Sequence, residues 1–138
     1  MRHKKSCGII PVHKVEGENL YLIVHQTNDI WCFPKGGQEK GENDRDTATR
    51  ELQEETGIVD IDIMDNFKAT EEYIGEDERD QYSKEVHYFL GFTKNMDVTL
   101  QESEIQGYKW ATFAEAKEHF QFDNTRAILK EAHQFLLK

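Results

Sequence analysis

Apolar residues are concentrated in two stretches near the start of the chain, residues 6–14 and 20–26. Both have the length and composition of β-strands, and the polar segment Gly17–Asn19 between them favours a turn. A short apolar stretch, Trp31–Phe33, follows. The glycine-containing segment after it, Lys35–Gly37, is predicted to be a flexible loop.

A helix is predicted after this loop. Asn43 or Asp44 can cap its first turn through a side-chain oxygen. Gly57 stands where a glycine commonly ends a helix. An inward stripe is spaced along the same helix: Ala48, Leu52 and Thr56.

The second half of the chain predicts further strands. Residues 59–74 alternate apolar and polar positions in part, which favours one or two strands. Residues 86–92 have the composition of a buried strand, and residues 105–110 predict another. The charged residues 76–80 are expected at a loop tip.

Two helices are predicted at the end of the chain. Thr112 and Glu115 have the spacing of a capping box, which opens the first helix. Asp123 or Asn124 caps the second, which runs through Leu137. Its apolar residues suit packing against a sheet: Ala127, Ile128, Ala132, Phe135 and Leu136. A mixed sheet flanked by helices, an α/β fold, is therefore expected.

Composition narrows the classes of function. The 138 residues are expected to form one domain, 1–138. The net charge is −10, from 27 acidic and 17 basic residues, so a basic patch alone is not expected to hold nucleic acid. Polyphosphate can still bind if metal ions screen the repulsion.

No apolar run has the length of a membrane span or a signal-peptide core. Cys7 and Cys32 lack metal or redox spacing, which favours a reduced, cytoplasmic compartment.

Three carboxylates on the first predicted helix carry candidate chemistry. Glu51, Glu54 and Glu55 stand at i, i+3 and i+4, which places them on one helix face. Like charges at this spacing repel, so the pattern indicates a bound cation. Clustered carboxylate oxygens suit a hard ion such as Mg²⁺ or Mn²⁺. The alternative is an amphipathic helix with an acidic, solvated face.

The segment around these glutamates resembles the Nudix box, the signature of the Nudix hydrolases. The family pattern is a glycine, five residues, a glutamate, seven residues, and then Arg-Glu-apolar-x-Glu-Glu-x-Gly-apolar. Every fixed position is filled here: Gly36, Glu42, Arg50-Glu51-Leu52, Glu54-Glu55 and Gly57-Ile58. The resemblance implies an α/β/α sandwich and a metal-dependent hydrolase that cleaves a diphosphate linked to another moiety.

The resemblance also implies roles for the carboxylates. Glu51, Glu54 and Glu55 would be ligands of Mg²⁺ or Mn²⁺, and one of them, or a carboxylate from a later loop, would orient or deprotonate water. By alignment of residues 104–110, Glu104 falls where many Nudix enzymes place one more metal ligand or base. Glu102 is the alternative residue for this role.

Residues next to the glutamates have expected roles as well. Gly36 lets the backbone come close to metal or phosphate, and its carbonyl is a candidate ligand. Arg50 is expected to hold Glu42 or Glu51 in position by bidentate pairing. Lys35 is the expected phosphate partner.

Outside the box the chain is similar to asymmetrical diadenosine tetraphosphate hydrolases. In that family aromatic residues clamp the adenine ring, and Tyr73 and Phe122 occupy the corresponding positions. Tyr88 is a further candidate, with a core position as its alternative. The similarity is carried by Cys7–Ile10, by Trp31 with Pro34–Gly36, by Glu104–Trp110, and by residues 127–129 and 133–136.

Two departures from that family bear on substrate choice. The loop after Tyr73 is long and acidic, and Lys84 is its only lysine, expected to contact substrate. Ile30 replaces a histidine often found before the residue matching Trp31.

Four functions follow as hypotheses. The first is hydrolysis of a dinucleoside polyphosphate. The second is RNA 5′-end pyrophosphohydrolysis, which the Trp31–Gly37 segment also resembles and the acidic composition disfavours. The third is hydrolysis of nucleoside triphosphates or sugar nucleotides, and the fourth is a non-catalytic nucleotide sensor. The expected partner is a small nucleotide, with no membrane and no stable nucleic-acid partner, in a monomer or weak dimer.

Overall fold

The computed structural model describes all residues of the chain, 1–138. Its strands and helices follow one another in this order: β1 Arg2–Val15, β2 Glu18–Gln26, β3 Trp31–Cys32, β4 Lys35–Gly37, α1 Asp44–Thr56, β5 Ile61–Ile63, β6 Ala69–Glu76, β7 Gln81–Thr93, β8 Ile105–Ala111, α2 Phe113–His119 and α3 Asp123–Leu136.

Strand β1 lies at the centre of one eight-stranded sheet. The main path is β3-β2-β1-β7-β5, while β4 pairs with β1, β6 with β7 and β8 with β2. β1 runs parallel to β7 and antiparallel to β2 and β4, so the sheet is mixed as predicted. Residues 6–12 of β1 are all buried, as expected for a strand covered on both faces.

Helices cover both faces of this sheet. On one face, Cys7 and Ile9 of β1 pack in a cluster with Leu52 of α1. On the other face, Ile10 and Val12 pack in a larger cluster that includes residues of α2 and α3: Ala116, Ile128, Leu129 and Ala132. Successive β1 side chains therefore enter two different cores. The predicted α/β/α sandwich is confirmed.

Helix α1 begins and ends where the sequence predicts. Asn43 is its N-cap and accepts a hydrogen bond from the Asp46 backbone N–H at 2.8 Å. Asp46 accepts in turn from the Asn43 N–H at 3.3 Å, which completes a capping box. Gly57 closes the helix with φ of 75°, a left-handed conformation that suits glycine. The capping box of α2, between Thr112 and Glu115, is also confirmed.

Of two loop predictions before α1, the turn is displaced toward Glu16 and the loop is wrong. The first turn is at Glu16 and Gly17, both with positive φ, and β2 already begins at Glu18. The segment Lys35–Gly37 is not a loop but strand β4, which pairs with residues 6–8 of β1. That edge of β1 is free for β4 because β2 pairs with β1 only from Val12 onward.

The start of α3 also differs from the prediction. Phe122 is the N-cap and makes no side-chain capping bond, while Asp123 is already the first helical residue. The Asp123 carboxylate accepts from Arg126 at 2.5 Å rather than capping the helix. Ala127, predicted to face the sheet, is exposed, whereas Ile128 and Ala132 are buried. None of the helices is long and apolar enough to cross a membrane.

Candidate functional site

Helix α1 carries its three glutamates along one flank, with unequal exposure. Glu55 is 3% exposed, while the side chain of Glu51 is 13% exposed and that of Glu54 46%. The i, i+3, i+4 spacing therefore forms a line of carboxylates that runs from the protein interior to solvent.

Arg50 connects these carboxylates to the loop before the helix. Its Nε and Nη2 donate to the two oxygens of Glu42 at 2.6 and 3.1 Å. Its Nη1 donates to Glu51 at 2.9 Å and to both oxygens of Glu54 at 3.3 Å. Nη2 also donates to the Gly37 carbonyl at 2.9 Å. Arg50 thus contacts both of its expected partners, and its hydrogen bonds are the main reason why the pKa of Glu42 is lowered to about 2.

Glu55 lies in an environment that disfavours its negative charge. Its pKa is raised to about 9, first by burial and then by the neighbouring Glu51. Lys35 opposes this shift, while Glu104 adds to it. Glu104 itself is exposed in the turn before β8, as is Glu102. The charge of Glu104 therefore reaches Glu55, and its role as a metal ligand or base stays a prediction.

A divalent cation fits the chemistry of these carboxylates. No three or more His, Cys, Asp or Glu side chains converge as a preformed metal-binding group. Arg50 draws oxygens of Glu51 and Glu54 to its guanidinium instead. Yet Glu51 and the buried Glu55 repel one another, and a hard cation bound by their oxygens relieves that repulsion.

Gly36 lies directly against the Glu51 carboxylate. β4 pairs Gly36 with Cys7 of β1, which fixes its backbone. A Cβ at position 36 would come within 2.0 Å of Glu51 Cδ and 2.3 Å of each carboxylate oxygen. Only glycine fits at this contact, which brings backbone atoms next to the carboxylate.

A cavity of about 410 Å³ opens on the side of Lys35. The residues predicted to bind substrate all line it: Lys35, Tyr73, Lys84, Tyr88 and Phe122. Ile30 and Asn28 line it as well. Other lining residues were not identified from the sequence: Gln26, Cys32, Glu71, Tyr82, Asn124 and Thr125.

The hairpin of β6 and β7 forms much of the cavity wall. Its antiparallel register pairs Tyr73 with Lys84 and Gly75 with Tyr82. Because strand side chains alternate, Glu71 shares the face of Tyr73. This register is the signal that identifies Glu71 and Tyr82 once the hairpin is known.

Neither lysine of the cavity forms an ion pair with a carboxylate, although Glu71 lines the same cavity. The lysines in ion pairs are Lys4, Lys5 and Lys109. Burial, with the charge of Lys35, lowers the pKa of Lys84 to about 8. Burial also acts to lower the pKa of Lys35, but interactions with Cys32, Tyr73, Glu71 and Glu55 outweigh it and raise that pKa. Unpaired ammonium groups in a cavity favour an anionic ligand.

The aromatic residues of the cavity differ in exposure. Phe122 is 53% exposed, and Tyr73 is half-buried. Tyr88 is 1% exposed, packs edge to face on Phe33 and donates a hydrogen bond to Glu71 at 3.0 Å. Of the two roles open for Tyr88, its burial matches the core position, and Tyr73 and Phe122 are the rings with accessible faces.

The fold and this arrangement of glutamates define a class of enzyme. The family profile of the NUDIX domain matches residues 2–132. The chain therefore belongs to the Nudix family and is a Nudix hydrolase. Hydrolases of this family generally use divalent metal ions, which agrees with the carboxylate chemistry described above.

Individual relatives narrow the comparison. The chain is 35% identical to the asymmetrical bis(5′-nucleosyl)-tetraphosphatase of Rattus norvegicus, over 96% of this chain and 95% of that protein. It is 30% identical to an RNA pyrophosphohydrolase of a Sulfurovum species, over 88% of this chain and 85% of that protein. A crystal structure of a C. elegans Ap4A hydrolase in a binary complex matches with a TM-score of 0.86 and 27% identity, covering 97% of this chain and 98% of that one.

Proposed function

We propose that this Nudix hydrolase cleaves a dinucleoside polyphosphate such as diadenosine tetraphosphate. The cavity carries this proposal, because it combines Tyr73 and Phe122 with two unpaired lysines, Lys35 and Lys84. An adenine ring offers a π face for stacking, and a phosphate chain supplies negative charge for the lysines. The name of the rat relative supports the same substrate class.

Mg²⁺ is the proposed cofactor, with Mn²⁺ as the alternative. The oxygens that would hold it belong to Glu51, Glu54, Glu55, Glu104 and the Gly36 carbonyl. When bound, such an ion neutralises phosphate charge and makes water more acidic.

The residues around the reacting phosphorus would then have separate roles in the reaction. A carboxylate among Glu51, Glu54 and Glu104 accepts a proton as a water oxygen bonds to phosphorus. The bridging P–O bond breaks, and the phosphate on the far side leaves with its nucleoside. Arg50 keeps Glu51 and Glu54 oriented through the hydrogen bonds described above. Lys35 and Lys84 hold the phosphate chain, and Tyr73 and Phe122 hold a base.

Hydrolysis at the 5′ end of RNA is the second candidate function. The Sulfurovum relative carries that name and is 30% identical over 88% of this chain. A net charge of −10 disfavours the binding of an RNA backbone, which depends on many cationic contacts. The dinucleotide substrate is therefore preferred.

The proposed setting is the cytoplasm, as a single domain spanning residues 1–138 in a monomer or weak dimer. Cys7 and Cys32 are free thiols, and both are buried. Free thiols are typical of a reducing compartment. The inclusion of all eight strands in one sheet supports a single domain.

A substrate panel tests the proposal. We would measure kcat/KM with Mg²⁺ for diadenosine tetraphosphate, ATP, ADP-ribose and triphosphorylated RNA. The first is expected to be preferred, and Glu54→Gln is expected to lose activity on every substrate. A preference of tenfold or more for any of the other three would contradict the proposal.

A further inference from the structure

Tyr82 forms a wall of the cavity and is held in place from its own sheet. It is the cross-strand partner of Gly75. A Cβ at position 75 would come within 2.4 Å of Tyr82 Cζ, so the ring lies across the glycine. The Lys4 ammonium lies 4.0 Å from the ring centroid, and the Arg2 guanidinium carbon 5.9 Å. A ring with a cation at this distance is stabilised by a cation–π interaction.

Strand β1 brings these cations alongside the cavity. The parallel register pairs Lys4 with Lys84 and Arg2 with Tyr82. Neighbouring strands lie about 4.8 Å apart, and partners in register extend from the same face of the sheet. The charges of Lys35 and of Lys4 both lower the pKa of Lys84. Along β1, Lys35 pairs with Gly8, Lys84 with Lys4 and Tyr82 with Arg2, so these side chains form a row in which Tyr82 lies farther than Lys84 from Gly36 and the glutamates of α1.

One carboxylate neutralises the outer end of this row. Asp77 accepts hydrogen bonds from Arg2 at 2.5 Å and from Lys4 at 3.2 Å. Its side chain is 33% exposed, and those of Arg2 and Lys4 are 31% and 42% exposed. Exposed ion pairs are weak in water, so a multiply charged anion can compete with Asp77 for both cations.

We infer that Arg2, Lys4 and Tyr82, here called the distal patch, form a second anion subsite beyond Lys84. The subsite takes the phosphates of a long chain that lie farthest from the glutamates, and it selects for chain length. Tyr82 is a positioning residue that holds Lys4, and Asp77 is the counter-ion that the phosphates replace. This inference rests on the proposed function, because the anion is the polyphosphate of that substrate.

A short anion is expected to miss the distal patch. Lys35 and Lys84 line the cavity that a short anion next to the glutamates would occupy. Lys4 and Arg2 do not line it, and the Lys4 ammonium lies outward, 4.0 Å from the Tyr82 ring centroid and bonded to Asp77. A longer chain extends past Lys84 and meets Lys4 and Arg2. If the distal patch binds anions, the affinity of the protein for a phosphate chain should therefore depend on the number of phosphates in that chain.

Calorimetric titration of the full chain with two inorganic probes tests this signature. Pyrophosphate and tetrapolyphosphate are compared in excess Mg²⁺. Lys4→Ala is expected to weaken the Kd of tetrapolyphosphate by about fivefold and to leave that of pyrophosphate unchanged. Tyr82→Leu should show the same pattern, while Tyr82→Phe should bind as the wild type does because it keeps the ring.

Two further variants complete the design. Lys5→Ala is the matched control, because Lys5 is the next residue on β1 and is paired with Asp44 at 2.8 Å on the opposite face. It should change neither Kd. Asp77→Asn removes the competing counter-ion and should lower the Kd of tetrapolyphosphate by about threefold.

The inference is overturned if Lys4→Ala weakens both probes equally or neither of them. A loss in Lys5→Ala equal to that in Lys4→Ala also overturns it. If Lys4→Ala does not fold, Asp77→Asn serves as the test instead. Equal Kd values for tetrapolyphosphate in Asp77→Asn and the wild type would then overturn the inference. Failure of the proposed function has a different result, in which length-dependent loss persists but diadenosine tetraphosphate is not hydrolysed.

Discussion

The Glu51 carboxylate fills the space that a side chain at position 36 would need: a Cβ on Gly36 would lie 2.0 Å from Glu51 Cδ. Gly36→Ala must therefore move either β4 or Glu51. Because Glu51 is a proposed metal ligand, and displacement of a catalytic group by about 1 Å can cost about a hundredfold in rate, kcat is expected to fall by that order.

Gly37→Ala is the matched control for this prediction. A Cβ at position 37 would meet nothing within 4 Å. Steady-state kinetics on both variants should show a far larger loss for Gly36→Ala. Equal kcat values in the two variants would contradict the steric account.

The contact between Arg50 and Glu42 predicts a loss of stability in acid. Since the pKa of Glu42 is lowered from 4.5 to about 2, its contribution is present above pH 4.5 and is lost as pH falls through about 2. Glu42→Gln should have a lower Tm than the wild type at neutral pH, and the difference should shrink over this range. Thermal unfolding monitored by circular dichroism measures it, and a constant difference in Tm from pH 5 to pH 2 would exclude this linkage.

Lys84 predicts a change in kcat/KM on the alkaline side. Its pKa of about 8 means that the ammonium is charged below pH 8 and loses its charge above it. Because kcat/KM reports the free enzyme, kcat/KM should decline above pH 8. Lys84→Arg should remove this decline, since arginine stays charged. An unchanged alkaline limb in Lys84→Arg would assign the decline to another group.

Phe122 predicts a loss of binding without a loss of chemistry. Base stacking on an aromatic ring contributes about 1–3 kcal/mol, so Phe122→Ala should raise KM by at least about fivefold with kcat nearly unchanged. Leu137→Ala is a suitable control, because Leu137 is an apolar residue, 69% exposed, at the end of the chain. A fall in kcat at constant KM would point to a role other than holding the base.

Features set by neighbours in sequence were predicted well. The limits of α1 depend on Asn43, Asp46 and Gly57, which act within a turn of the helix. The spacing of the three glutamates is equally local and led to the correct family. The site predictions for Lys35 and Lys84 identified residues that share one cavity.

Features set by pairing between distant strands were missed. Lys35–Gly37 becomes a strand because β1 offers it a free edge, and no local signal carries that information. Tyr82 joins the cavity only through its register with Gly75 and Arg2. Phe122 occupies the N-cap position of α3 without a side-chain capping bond, while Asp123 pairs with Arg126 one turn into the helix. For β4 and Tyr82, a tertiary partner decided between local alternatives.

The central position of β1 has a consequence for synthesis on the ribosome. β1 is made first, but its parallel partner β7 lies about 80 residues later in the chain. Until β7 emerges, the nascent chain carries an apolar strand with one unpaired edge, which is a template for misassociation. Slow translation before residue 93 would prolong that exposure, whereas rapid completion of β7 would close the edge.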